Sequence, residues 1–311
     1  MKINNTLKQA IFVSALILCL TPVIDPPMAL LLGLVLAQIV GNPFLKYNSI
    51  ATKWLLKTSV VGLGFGINIQ QALEVGKSGL IFTVFSISLT LVAGWLLGKW
   101  YKVDKKTSFL ISSGTAICGG SAIAAVSPIV KADEKQMSVA LGTIFILNSI
   151  ALLLFPSIGH WLNMTQHQFG LWCAIAIHDT SSVVGAAAKY GHEALQIATT
   201  VKLERTLWII PLSLITLLFV KNGNKKLSIP YFIGLYIIAM IISSYFPQFN
   251  DQYIDIVNIA KKGLTVTLFL IGSGISYSTL KSVGLKPLLQ GVSLWILISI
   301  ISVVIILLTQ I

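Results

Sequence analysis

The residues best suited to chemistry lie inside apolar stretches. Residues 171–188, LWCAIAIHDTSSVVGAAA, are apolar at both ends but carry His178-Asp179-Thr180-Ser181-Ser182 at the centre. An earlier stretch, residues 111–130, has the same form, with Cys118-Gly119-Gly120-Ser121 as its interruption. Laid over each other without a gap, 118–128 meets 178–188: an apolar run, a small or polar break, then a small-residue helix opened by Ser. Polar groups in lipid find no water to bond, so such breaks are costly without a purpose. A helix that starts at a break points free N–H groups and its positive dipole end into the gap. That is an anion site without a cationic side chain. Gly119 and Gly120 let backbone approach a ligand closely, and Cys118, Ser121, Thr180, Ser181, Ser182 and His178 complete the candidate binding set. Tight packing of small residues is the competing reading, but packing does not call for His-Asp.

Asp179 is a carboxylate deep in an apolar stretch, far from any predicted loop. Two roles fit it: a proton carrier, or a cap on the following helix that accepts N–H bonds while ionised. Lys202 and Arg205 are three residues apart on one helix face, in the run Val201-Lys202-Leu203-Glu204-Arg205-Thr206. An Arg fork suits an oxyanion; the alternative is a pair snorkelling to headgroups. Glu204 sits off that face, where pairing with a neighbour is open to it. Asn148, mid-span on a neighbouring helix, is a weaker polar candidate, and His160, His167 and His192 read as loop residues.

Composition sets the frame for these residues. The 311 residues are 55% hydrophobic and 10% charged, with a mean hydropathy of +0.87. Soluble domains carry about 25% charged residues, so the pattern is that of an integral membrane protein. The net charge of +12 would point to nucleic acid in a soluble chain; here the lysines sit in short loops and set topology. Cys19, Cys118 and Cys173 are scattered, which indicates neither a disulfide framework nor a thiolate metal site. No cofactor motif is present. The glycines at 62, 64 and 66 lack the strand that a nucleotide fingerprint needs, and a Ser–His or metal enzyme finds no GxSxG or paired ligand motif.

The fold class expected is all-α and polytopic. Full spans fall near 10–24, 28–42, 54–71, 79–99, 137–158, 195–220, 229–247, 257–275 and 286–308, with 109–130 and 171–189 as broken or re-entrant segments. The run after Lys2 and Lys8 resembles a signal peptide but lacks an A-x-A-like site, so it is taken as the first span. If both broken segments re-enter and the N-terminus is cytoplasmic, every Lys and Arg falls inside except Lys77, Lys189, Lys202, Arg205, Lys261 and Lys262. That matches the positive-inside bias. Gly64-Phe65-Gly66-Ile67-Asn68, running to Val75-Gly76, pairs without a gap with Gly272-Ser273-Gly274-Ile275-Ser276, running to Val283-Gly284, and Lys53 with Lys261. Such a match, in opposite directions across the membrane, is the inverted-repeat pattern of secondary transporters.

The stretches GTAICGGSAIAAVSPIVKA, HDTSSVVGAA, VKLERTLWIIP and LLKTSVVGLGFGINI resemble the YeiH-type family of bacterial inner-membrane proteins, to which sulfate export is ascribed. The likeness runs from about Met28 to the C-terminus. It implies a multi-pass plasma-membrane protein of the sodium/proton antiporter and bile-acid transporter group. It also implies a core domain bearing the broken helices and a scaffold domain that often dimerises.

The sequence therefore points to one integral membrane domain, with a core around 109–220 plus repeat helices 54–76 and 261–284. The expected activity is that of a secondary transporter, not an enzyme. It would export a small inorganic anion, sulfate or sulfite first, with Asp179 coupling proton movement. Rival readings are a cation/proton antiporter using Asp179, a carrier of small organic sulfonates or carboxylates, and an intramembrane enzyme pairing His178 with a serine. The partners expected are the anion, the lipid bilayer and a second copy of the chain, with no nucleic acid.

Overall fold

The computed structural model describes residues 4–219, 231–274 and 284–309, and among them there is no strand. In chain order the helices are α1 (Asn5–Leu18), α2 (Pro26–Ile39), α3 (Leu45–Gly64), α4 (Ile69–Trp100), α5 (Lys105–Ala116), α6 (Gly120–Val126) and α7 (Glu134–Trp161). They continue with α8 (Gln166–Ala176), α9 (Thr180–Tyr190), α10 (His192–Leu207), α11 (Ile209–Phe219), α12 (Tyr231–Tyr245), α13 (Asn250–Gly274) and α14 (Leu285–Thr309). Each expected span overlaps helix but with shifted bounds: 10–24 outlasts α1, 54–71 runs past the end of α3 into α4, and 195–220 is divided between α10 and α11. Only some helices meet the length and apolarity of a crossing by themselves. Those are α4 over Thr83–Trp100, α7 over Lys135–Trp161 and α14 over Leu285–Leu308; α12 and the segment through α13 form a pair bent by 98°. Span ends at 220, 229–230 and 275, and the second repeat copy over 275–283, lie outside the described residues.

The broken segments are hairpins hung from opposite ends of α7. At the first, the Asp104 carboxylate caps α5 through the Thr107 N–H at 2.9 Å and accepts from the Gln136 amide at the start of α7 at 2.8 Å. The Lys106 ammonium donates to the Lys131 carbonyl at 2.6 Å. The start of α5, the chain after α6 and the start of α7 therefore share one end of the molecule, where Lys99, Lys102, Lys105 and Lys135 also gather. At the other end, Gln166 opens α8, and its side-chain oxygen accepts the N–H groups of Glu193 at 3.0 Å and Ala194 at 3.4 Å. Tyr190, closing α9, donates to the Met164 carbonyl at 2.6 Å. Each hairpin returns to the end it left, and the two enter from opposite sides.

Small residues set the spacing around them. Gly94 and Gly98 of α4 lie so close to Ser112 and Ser108 of α5 that a methyl group would strike those side chains. This is the small-xxx-small contact by which membrane helices approach. Gln290 of α14 locks the same junction, donating to the Gly94 carbonyl at 3.0 Å and the Ser108 hydroxyl at 2.8 Å. Elsewhere α13 packs on α2, with Gly33 against the Phe269 carbonyl and Gly272 against the Leu30 carbonyl. It also runs antiparallel to α3, where Asn48 donates to the Leu270 carbonyl at 2.8 Å and Gly62 meets Ala260.

A β-carbon at Gly33 would run into backbone, whereas one at Gly234 meets nothing within 4 Å. Gly33→Ala should therefore lower the thermal midpoint in detergent by an amount consistent with about 1–3 kcal/mol of overpacking. Gly234→Ala should leave it unchanged or raise it, because Ala is the better helix former. Burial pushes the Asp104 carboxyl up, but the Thr107 N–H and hydroxyl, the Gln136 amide and the Lys106 charge together hold it below its ordinary value. Its contribution is thus present above the unfolded-state value and lost as pH falls through the folded-state one. Asp104→Ala should cost about 1 kcal/mol at neutral pH, and the gap in melting temperature from the parent should close on acidification.

Candidate functional site

The hairpin tips meet. Gly119 takes φ +63°, ψ −121°, a conformation that a side chain strains. A β-carbon there would lie 3.4 Å from that of Asp179 and 3.5 Å from the His178 carbonyl carbon. The break of the first hairpin therefore rests on the break of the second.

Asn148, halfway along α7, clasps the second break. Its amide donates to the Asp179 carboxylate, and its carbonyl oxygen accepts the His178 N–H at 3.0 Å. Asp179 is the N-cap of α9. It also accepts from the Ser182 N–H at 2.7 Å, the Ser181 hydroxyl at 2.7 Å and the Ser182 hydroxyl at 3.0 Å. Its two oxygens thus face four donors, and the serine hydroxyls are committed to it. Of the two roles open in the sequence, this geometry is that of the cap.

Four half-helix ends point into the middle of the molecule, and their dipoles need opposite charges. The C-terminal end of α8 faces Lys202, whose ammonium donates to the carbonyls of Ala174 at 3.2 Å and Ile177 at 2.7 Å. The C-terminal end of α5 faces Arg205, which donates to the Ala116 carbonyl at 2.5 Å and the Ser86 hydroxyl at 2.7 Å. Both cations have 0% exposure, so neither snorkels. The N-terminal end of α9 has Asp179. The N-terminal end of α6 has Gly119 as its N-cap, which brings no side chain to it, and the uncharged Cys118 thiol lies against the Ala122 N–H.

Several polar groups here are buried without a hydrogen-bond partner among the described residues: both ring nitrogens of His178, Nε of Arg205, and the hydroxyls of Ser113 and Thr115 in the last turn of α5. The His178 ring lies within electrostatic reach of Lys202 and Arg205, and Cys118 lies beside Ser121, Ala122 and Thr206. The residues singled out in the sequence thus gather at one crossing, with one difference in aim. Ser121 is exposed, while Thr180, Ser181 and Ser182 are buried. Sequence reasoning missed Ser86, Ser113 and Thr115, and ranked Asn148 too low. A lone Asn in an apolar helix was the available signal. Among the described residues no group of His, Cys, Asp and Glu is arranged to hold a metal ion.

A family described as "Conserved hypothetical protein 698" matches residues 7–291. The chain belongs to that family. This is the YeiH-type group that its motifs resemble. A "UPF0324 membrane protein" of Bacteroides thetaiotaomicron is 57% identical over 278 residues, covering 89% of this chain and 84% of the relative. One from Porphyromonas gingivalis is 52% identical, covering 92% and 88%, and one from Shewanella oneidensis is 50% identical, covering 97% and 96%. No solved structure matches the chain significantly. Family membership, the apolar helices and the buried break segments together make this a multi-pass membrane protein.

Asn148→Leu keeps the volume but leaves the His178 N–H, and one donor site on Asp179, without a partner. It should cost about 1–3 kcal/mol, read as a lower thermal midpoint in detergent. A variant melting with the parent would show that the clasp does not hold the crossing.

Proposed function

We propose that the protein is a secondary transporter moving a small inorganic oxyanion, sulfate or sulfite first, through the crossing. The observation that carries this reading is an imbalance of counter-charges. Three inward half-helix ends have a charged side chain of their own, and the fourth, at Gly119–Gly120, has none. An oxyanion there would meet free N–H groups beside the unpartnered His178 ring. Lys202 and Arg205 would add long-range attraction while their direct bonds hold the half-helices. Asp179 would keep the α9 tip in place.

The two hairpins entering from opposite ends of α7 support alternating access around a midplane site. So does the pairing of α3 with α13, each carrying a glycine at a tight contact: Gly64 against Tyr236 and Ala239, Gly272 against Leu30. In this reading the core around 109–220 moves together with the repeat helices in α3 and α13, and the remaining spans form the scaffold and the face for a second copy. The cation/proton antiporter reading fits less well, because both Asp179 oxygens already face donors rather than an open coordination site.

Purified protein in liposomes should take up labelled sulfate or sulfite in preference to organic sulfonates and small carboxylates. Gly119→Ala, which strains the tip by about 1–3 kcal/mol, should slow uptake by roughly tenfold or more. Absence of uptake for both anions, under pH gradients of either direction, would sink the reading.

A further inference from the structure

Glu204 of α10 is a half-buried acid that has no part in the crossing described above. Both of its carboxylate oxygens are shielded from solvent, and among the described residues neither has a hydrogen-bond partner. Burying a charge without a donor is very costly, and unpartnered buried groups are rare enough to need a reason. The contrast with Asp179 and its four donors is direct. Glu204 also lies on a defined face of α10. His192, Gln196, Thr200 and Glu204 recur every fourth residue, forming a polar stripe roughly 18 Å long.

The stripe starts in water. His192 lines an open cavity of about 430 Å³ together with Gly66, Asn68, Ser243, Ser244 and Lys261. One turn deeper, Gln196 donates to the carbonyl of Gly66 at 2.7 Å. The Thr200 hydroxyl then lies 3.4 Å from that of Tyr236 on α12. One turn beyond Thr200 comes Glu204. The rise between successive stripe residues is about 6 Å, a gap of the size that a single bridging water can span. Among the described residues, Arg205 is the charged group that acts on Glu204, and its guanidinium is turned away, towards Ala116 and Ser86.

We infer that Glu204, not Asp179, takes up and releases the coupling proton, supplied from the cavity along His192, Gln196, Thr200 and Tyr236. A hydronium ion in the cavity water gives its proton to the carboxylate: an O–H bond of the hydronium breaks as the Glu204 O–H bond forms and water is left, and release runs the same exchange in reverse. Neutralising Glu204 removes the negative charge beside Arg205, so the crossing attracts an anion more strongly when the acid is protonated. This coupling rests on the transport reading above; the protonation of Glu204 does not.

Two measurements separate them. The first is pH-difference infrared spectroscopy on the detergent-purified protein, which should show a titrating carboxylic-acid carbonyl band. The band should vanish in Glu204→Gln, shift in Glu204→Asp and persist in Asp179→Asn. A band kept in Glu204→Gln, or lost in Asp179→Asn, overturns the assignment. In the second, liposome uptake of sulfate driven by a pH gradient should fall at least tenfold in Glu204→Gln and recover in part in Glu204→Asp. Gradient-driven uptake equal to the parent in Glu204→Gln overturns the coupling. If the parent moves no sulfate, the transport reading fails, and the infrared band alone decides whether Glu204 takes the proton.

Discussion

Two cations of α10 hold the centre of this molecule open to irregular backbone. In a hydrocarbon layer a helix that stops halfway exposes carbonyls that nothing else will satisfy. Lys202 and Arg205 each serve one such end, on α8 and α5 respectively. Because both come from one helix, three residues apart, the two hairpins are tied to a common post. Asn148 and Asp179 secure the opposite side of the second break. The crossing is thus a closed electrostatic unit, save at the α6 tip, where the chain leaves its own helix end without a counter-charge.

The surrounding packing makes that unit possible. Gly94 and Gly98 bring α4 against the serines of α5, and Gln290 pins the junction from α14. Those contacts fix the first hairpin from its outer face, while α7 and α10 hold it from within. On the far side, Gly33 and Gly272 draw α2 and α13 into backbone contact. Large apolar side chains such as Trp95, Val92 and Ile300 stay on the outside, where lipid is their solvent.

Much of this was legible from residue types. A polar cluster inside an apolar run marks a broken helix, and both breaks fall where Cys118–Ser121 and His178–Ser182 placed them. The Lys202/Arg205 spacing marked a shared face. What those cations bind was not legible, because backbone carbonyls carry no signature in a sequence. Nor could charge bias alone decide whether the broken segments cross. That rests on contacts such as Lys106 to the Lys131 carbonyl, between residues 25 positions apart. Glu204, off the cationic face, reads in the sequence as a partner for some neighbour; that its oxygens meet no donor among the described residues shows only once neighbours are placed. His192 read as a loop residue, yet it heads the polar stripe on α10.

The hairpins bear on how the chain enters a bilayer. Their four halves are 12, 7, 11 and 11 residues long, against roughly 20 for a segment that partitions into lipid unaided. None can be threaded in as an independent element. Each must wait until α7 stands beside it and α10, synthesised later than both, delivers its ammonium and guanidinium. Biogenesis is therefore ordered: the centre closes only after α10 has been made, from pieces that have no home outside it.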